Sequence, residues 1–224
     1  MKKADAPRVF SPTALNAWLV KQNILLPART LNETLAEWTH SGAVDRLTGR
    51  LYLNSKASPR PTPDEAAPAL RPGAVVSLHR VLGHHGVLNN PSHWVTAVVS
   101  NDDTTKVGRV ETEQQVFRFA SLPPALMVRP DQPLACDAID ASHPWMATPE
   151  KALLDWLHLA STPRGSASWP LPASHDWDLE LLDTARLNRL ARGLGLKNLL
   201  EGFQKSVENN ALDPGPRARS RRLR

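Results

Sequence analysis

Two helix starts followed directly by a hairpin pattern constrain the fold of the first part of this sequence most strongly. Ser11 before Pro12 predicts a helix start, because a serine side chain caps free backbone amides and proline fits the first turn. The run from Thr30 to Glu33 has the form of a capping box and predicts that a second helix begins there. Ser41-Gly42 predicts the end of that helix.

A short β-hairpin is predicted immediately after these helices. Residues 43–47 and 50–53 are mostly apolar, and Thr48-Gly49 between them suits a tight turn. A helix pair followed by a hairpin is the order found in a winged helix-turn-helix. We therefore predict a winged-helix DNA-binding domain over residues 1–56.

A proline-rich interval separates this part from the rest of the chain. Five prolines fall within residues 57–73 and predict a linker, after which an α/β domain is expected over residues 74–208. The β-branched run 94–99 predicts a buried strand, and Thr148 before Pro149 predicts a helix start. We also predict strands at 107–110, 115–119 and 126–128, and helices at 64–70, 77–85, 178–192 and 196–207. The expected fold class is α+β: a mixed or antiparallel sheet with flanking helices, C-terminal helices and a basic disordered tail over residues 209–224.

Charge is distributed unevenly along the chain. Residues 1–60 hold nine Lys and Arg against four acidic residues, and the last eight residues add five arginines and no acid. Since the net charge of the whole chain is +5, the middle must be acidic. Basic ends beside an acidic body favour a polyanionic partner for the ends, and phosphate backbones are the usual one. A basic tail that serves only solvation is the alternative.

A winged helix lays its second helix in the major groove, while the wing and helix ends contact phosphates. Asn32 is suited to a bidentate pair with adenine. Glu33 and Glu37 on the same helix oppose this interpretation, and a solvated face or a protein contact remains open. The predicted DNA-binding residues are Arg29, Thr30, Asn32, Ala36 and His40 on the helix, Arg46, Arg50 and Lys56 at the wing, and Lys2, Lys3, Arg8 and Lys21 for phosphates. The expected partner is double-stranded operator DNA with an inverted repeat, bound by a homodimer.

No motif in the sequence proposes a reaction, so we expect a protein that is not an enzyme and needs no cofactor. One cysteine excludes a Cys-based zinc site, and His84-His85 lies in no metal-binding pattern. A metal-dependent nuclease using Asp137, Asp140 and Glu150 is the enzymatic alternative. No apolar run is long enough for a membrane span or a signal peptide, so we expect a cytoplasmic protein without a membrane partner.

Three segments resemble the AbiEi-type antitoxins of bacterial type IV toxin–antitoxin (abortive infection) systems. Residues 147–155, Ala-Thr-Pro-Glu-Lys-Ala-Leu-Leu-Asp, are similar to the family's Pro-Glu-Lys-Ala-Leu-x-Asp helix. Residues 75–86 look like its Ser-Leu helix, and Gly49 to Tyr52 resembles its wing. On the residues alone, Lys151 and Asp155 form an ordinary i,i+4 ion pair worth about 0.3 kcal/mol.

The resemblance, which spans about residues 10 to 160, implies a winged helix that represses the protein's own operon. It also implies a C-terminal domain that neutralises a nucleotidyltransferase-like toxin without being an enzyme. A stand-alone winged-helix regulator with a ligand- or protein-binding body is the alternative.

Overall fold

The computed structural model describes residues 6–90, 92–102, 107–163, 168–173 and 176–212. The chain is α+β, as predicted. Lys2, Lys3 and the arginine tail lie outside the described residues. The strands are β1 Val9–Phe10, β2 Asp45–Thr48, β3 Leu51–Leu53, β4 Val75–Val76, β5 Val95–Ser100, β6 Gly108–Glu111, β7 Val116–Leu122, β8 Ile139–Asp140 and β9 His143–Ala147. The helices are α1 Pro12–Lys21, α2 Ala28–His40, α3 Ala67–Leu70, α4 His79–His84, α5 Ala135–Ala138, α6 Pro149–Ser161, α7 Thr184–Gly193 and α8 Lys197–Leu212.

Helix α1 begins as predicted, but the predicted start of α2 is wrong. The Ser11 hydroxyl accepts a hydrogen bond from the Ala14 amide at 3.1 Å. Helix α2 starts before Thr30, because the Pro27 carbonyl already accepts the first helical hydrogen bond from the Leu31 amide. Thr30 therefore lies within the first turn, and no side chain caps this end.

The hairpin forms, and a third strand joins it. Strand β3 lies between β2 and the unpredicted β1, and all pairings are antiparallel. Two residues are too few to show the alternation by which a strand is recognised in a sequence.

The central strand of this sheet, β3, is buried on both faces. Tyr52 packs with Phe10 and Val44 in a core formed with α1 and α2. Leu51 and Leu53 belong to the core of the rest of the chain. Because side chains alternate along a strand, β3 joins the helix pair to the body.

The body contains a six-stranded mixed sheet with the order β6-β7-β5-β4-β9-β8. Strand β5 is buried along residues 95–99 and pairs in parallel with β7 over six residues. Helix α6 begins at Pro149 and is capped by Thr148, whose hydroxyl accepts from the Lys151 amide. The mixed sheet and both of these elements confirm predictions from the sequence.

Three predicted elements of the body are wrong in type or extent. Residues 126–128 form no strand, because Pro123 and Pro124 lead into a 3-10 turn that ends at Leu126. Helix α4 starts only at His79, since the preceding Leu78 has a positive φ of 61°. The predicted helix 178–192 is divided into a 3-10 turn and α7, which Asp183 caps.

The predicted linker at residues 57–73 is folded against both parts of the chain. It contains a 3-10 turn, Pro63–Ala66, followed by α3. Asp64 is buried and accepts two hydrogen bonds from Arg80, at 2.6 and 2.7 Å. Glu65 pairs with Arg8 at 2.7 Å, which ties the interval to the strand at the start of the chain. None of the helices in the described part of the chain has the length and apolar content to cross a membrane.

Candidate nucleic-acid interface

One face of α2 is exposed, and it carries most of the side chains predicted to contact DNA. Leu31 and Leu35 anchor the opposite face in the core of the helix pair. Arg29, Asn32, Ala36 and His40 are exposed, and Thr30 is partly buried.

Acidic side chains share this face of α2. Glu33 and Glu37 are both exposed, and Arg29 pairs with Glu33 at 2.9 Å in a strongly exposed i,i+4 bridge. The two carboxylates outnumber the one arginine, Arg29, so these charged side chains give the face no excess of positive charge. Attraction to a polyanion must therefore come from neighbouring elements.

The hairpin supplies positive charge without acidic partners. Arg46 lies in β2, Arg50 lies in the β2–β3 turn and Lys56 follows β3; all three are exposed. The Thr48 hydroxyl accepts from the Arg50 amide at 3.2 Å, and the Thr48 carbonyl accepts from Arg46 Nε at 3.3 Å. Within the described part of the chain, no ion pair neutralises these three side chains. Lys21, at the end of α1, is also exposed and unpaired there.

Arg8, predicted to contact phosphate, is already neutralised within the protein. Its guanidinium donates to both Glu65 oxygens and to the Pro59 carbonyl, at 2.7 to 2.8 Å. Burial would raise the pKa of Glu65, but the bonds and charge of Arg8 outweigh it and lower that pKa. Arg60 is similarly paired with Asp45 at 2.5 Å.

The three carboxylates of the nuclease alternative each have partners in the protein. Asp137 accepts two hydrogen bonds from Arg189, which lower its pKa. Asp140 accepts from the backbone amides of residues 142 and 143. The buried Glu150 accepts from the Asp183 amide at 2.9 Å. In the described ranges, no group of three His, Cys, Asp or Glu side chains is placed to hold a metal ion.

In the segment that resembles the antitoxin family, the predicted i,i+4 ion pair forms, but it is buried. Lys151 and Asp155 pair with side chains only 4% and 2% exposed. The Ser77 hydroxyl donates to the second Asp155 oxygen at 2.7 Å. Burial raises the pKa of Asp155, while Lys151 and Ser77 oppose that rise. These residues connect α6 to the chain just after β4.

A cluster of arginine and tryptophan side chains on the body was not predicted from the sequence. The Arg118 guanidinium lies 4.9 Å from the centre of the Trp94 ring and 4.4 Å from that of Trp169. Arg109 lies 5.6 Å from the Trp94 ring. Only the pairing of β6 with β7 brings the two arginines together. In the sequence, the signal for this cluster is Arg118, which stands between Phe117 and Phe119 in strand β7. Both phenylalanines are buried, whereas Arg118 points to the other face of the strand.

Comparison with known proteins finds a solved structure of similar fold but does not identify a family. No family model matches the chain, and no curated protein matches it in sequence. A crystal structure of the RV2827C protein from Mycobacterium tuberculosis is similar, with a TM-score of 0.51 and 15% identity. The similarity covers 93% of this chain and 76% of that one. At this identity, it shows a shared fold alone.

Proposed function

We propose that this protein is an AbiEi-like antitoxin that binds the operator of its own gene and neutralises a nucleotidyltransferase-like toxin. In this proposal the helix pair and the three-stranded sheet act as a winged helix, with α2 in the major groove and the β2–β3 turn as the wing. The observation that carries the DNA-binding part is the unneutralised charge of Arg46, Arg50 and Lys56 on the hairpin that follows α2.

Because of the distribution of charge, we assign base contacts and phosphate contacts to different elements. Helix α2 contributes base contacts through Asn32, whose exposed amide can pair with adenine. The hairpin and Lys21 contribute phosphate contacts, which are independent of DNA sequence and sensitive to salt. Phosphate contacts also offset the repulsion that Glu33 and Glu37 exert on the DNA.

The antitoxin part of the proposal depends on the family resemblance. Lys151 and Asp155 of the matching segment lie inside the protein, so the similarity concerns residues that hold the fold together. A buried sequence pattern of this kind supports a similar fold of the body in this chain and the antitoxin family. It gives less support to a similar binding surface. The contact or activity by which the body neutralises a toxin is carried by other residues.

Operator binding is tested by fluorescence anisotropy with DNA from upstream of the gene and with random DNA, each at two salt concentrations. The full chain should prefer the upstream DNA and should bind as a dimer. Arg50→Ala should weaken both complexes and reduce the salt slope by about one ion. Arg192→Ala, at an exposed arginine of α7, is the matched control and should change neither. Equal affinity for both DNAs would contradict the operator proposal.

Antitoxin activity is tested by co-expression with the neighbouring gene. The proposal expects a toxic nucleotidyltransferase there, whose toxicity the full chain suppresses. Arg50→Ala should still suppress it, because neutralisation is assigned to the body. A neighbour that is not toxic, or whose toxicity persists, would contradict the antitoxin role and leave a DNA-binding regulator.

A further inference from the structure

A cavity of the body lies beside the arginine–tryptophan cluster. It has a volume of about 830 Å³ and is bounded by strands β6 and β7, the end of α6 and the segment around Trp169. Ligand-binding clefts in proteins are typically about 300 to 1,000 Å³. The cavity therefore has room for a small organic molecule.

Two arginines face each other across adjacent strands at this cavity. Arg109 and Arg118 are direct partners in the antiparallel β6–β7 register. Like charges directly opposite each other destabilise a sheet. Burial, and next the charge of Arg109, lower the pKa of Arg118. Folding thus brings two positively charged guanidinium groups close together. Their repulsion costs free energy, and a bound anion would offset that cost.

Little in the protein neutralises this charge. Arg109 pairs with Glu111 at 2.8 Å, but both side chains are more than half exposed, where an ion pair contributes little. Arg118 donates to the Ser168 carbonyl at 3.2 Å and has no acidic partner in the described part of the chain. Among the described residues that line the cavity, none has an acidic side chain. His158 and Asn101 add polar groups to its wall.

Apolar and aromatic side chains form a further part of the wall. Trp94, Trp169, Phe119 and Leu159 line it together with the arginines. Because Arg118 contacts two Trp rings and donates to the Ser168 carbonyl, its guanidinium is held in position before any ligand arrives. A wall of this kind favours a ligand that joins an anionic group to a flat apolar one, and the volume exceeds the needs of inorganic phosphate.

We propose that this cavity binds a small phosphorylated ligand of the nucleotide class, with its phosphates between Arg109 and Arg118 and its base against the apolar wall. The site lies in the body and is independent of the proposed DNA contacts. A protein that failed to bind an operator could still bind this ligand.

Calorimetric titration of the full chain with ADP tests the proposal, with pyrophosphate and adenosine as partial ligands. ADP should bind with a Kd on the order of 100 μM or tighter, and each partial ligand should bind more weakly. Arg109→Gln should weaken ADP binding at least tenfold, and Arg118→Lys should weaken it while keeping the charge. Arg192→Gln, an exposed arginine away from the cavity lining, is the matched control and should change nothing.

Three results would overturn the proposal. ADP that fails to bind at millimolar concentration excludes a nucleotide site. Binding that Arg109→Gln leaves unchanged places the ligand elsewhere, and this variant should fold because its side chain is more than half exposed. A single-stranded oligoribonucleotide that binds where ADP does not would make the cluster an RNA surface.

Discussion

Lys151 and Asp155 form an ion pair one helical turn apart within α6, and solvent reaches almost none of either side chain. The second oxygen of Asp155 accepts from the Ser77 hydroxyl, 78 residues earlier in the sequence. The pair therefore connects α6 to the segment just after β4 through a buried polar network. Such networks are sensitive to the loss of one member, because the others remain buried without a partner.

Asp155→Ala should destabilise the protein strongly. The substitution leaves the Lys151 ammonium buried and unpaired, and breaking a buried pair in this way costs about 3 to 5 kcal/mol. Urea unfolding followed by circular dichroism measures the change in the free energy of unfolding.

A surface pair and a double variant are the controls for this experiment. Glu201→Ala breaks the exposed Lys197–Glu201 pair of α8 and should cost less than about 1 kcal/mol. Lys151→Met with Asp155→Leu removes both charges together and should recover most of the stability. If Asp155→Ala costs no more than Glu201→Ala, the buried pair does not hold α6 in place.

Local signals in the sequence predicted local structure well. Ser11 and Thr148 cap their helices as expected, because a cap depends on residues within one turn. The run that became β5 was recognised from its β-branched side chains. The predicted helix start at Thr30 was wrong because the helix begins directly after Pro27, three residues earlier.

Features that depend on distant parts of the chain were not predictable. The burial of Lys151 requires the sheet on which α6 packs, and a sequence shows only its spacing from Asp155. The position of Arg109 opposite Arg118 depends on strand register, which a short, partly polar strand such as β6 specifies weakly. The helix and hairpin that carry the candidate DNA-binding residues were predictable because they belong to one continuous segment.

Stability should fall between pH 6.5 and 4 because of His79. Burial, and then the charge of Arg118, lower the pKa of His79 from 6.5 to about 4 in the folded protein. The unfolded chain therefore takes up a proton in this range while the folded chain does not, so stability present above pH 6.5 is lost as the pH falls. The loss from this group is up to about 3 kcal/mol at pH 4.

Two variants separate titration from packing in this prediction. His79→Phe keeps a ring against Trp156, 3.9 Å away, and removes the titrating group. His79→Gln removes the titrating group but keeps a polar side chain. Unfolding free energies measured from pH 7 to 4 should depend less on pH in both variants than in the parent chain. A pH dependence that both variants retain in full would assign the effect to other groups.

Asn32→Ala and Arg50→Ala should affect DNA binding differently. Loss of the Asn32 amide should weaken binding to the operator by about 1 to 3 kcal/mol and leave random DNA unaffected. Loss of Arg50 should weaken both. Arg8→Ala should change the salt slope less than Arg50→Ala, because Glu65 already neutralises Arg8. Anisotropy titrations measure all three, and equal losses on both DNAs for Asn32→Ala would refute its reading role.

Leu53→Ala should destabilise the body as well as the helix pair. Leu53 is 3% exposed and belongs to the core of the body, although it lies in the predicted DNA-binding domain. The cavity left by such a truncation costs about 2 to 5 kcal/mol. Hydrogen exchange should therefore show reduced protection in α6 as well as in α2. Leu25→Ala, at a side chain that is 80% exposed, is the control and should cost less than about 0.5 kcal/mol. Lost protection confined to α1 and α2 would mean that the hairpin is not part of the core of the body.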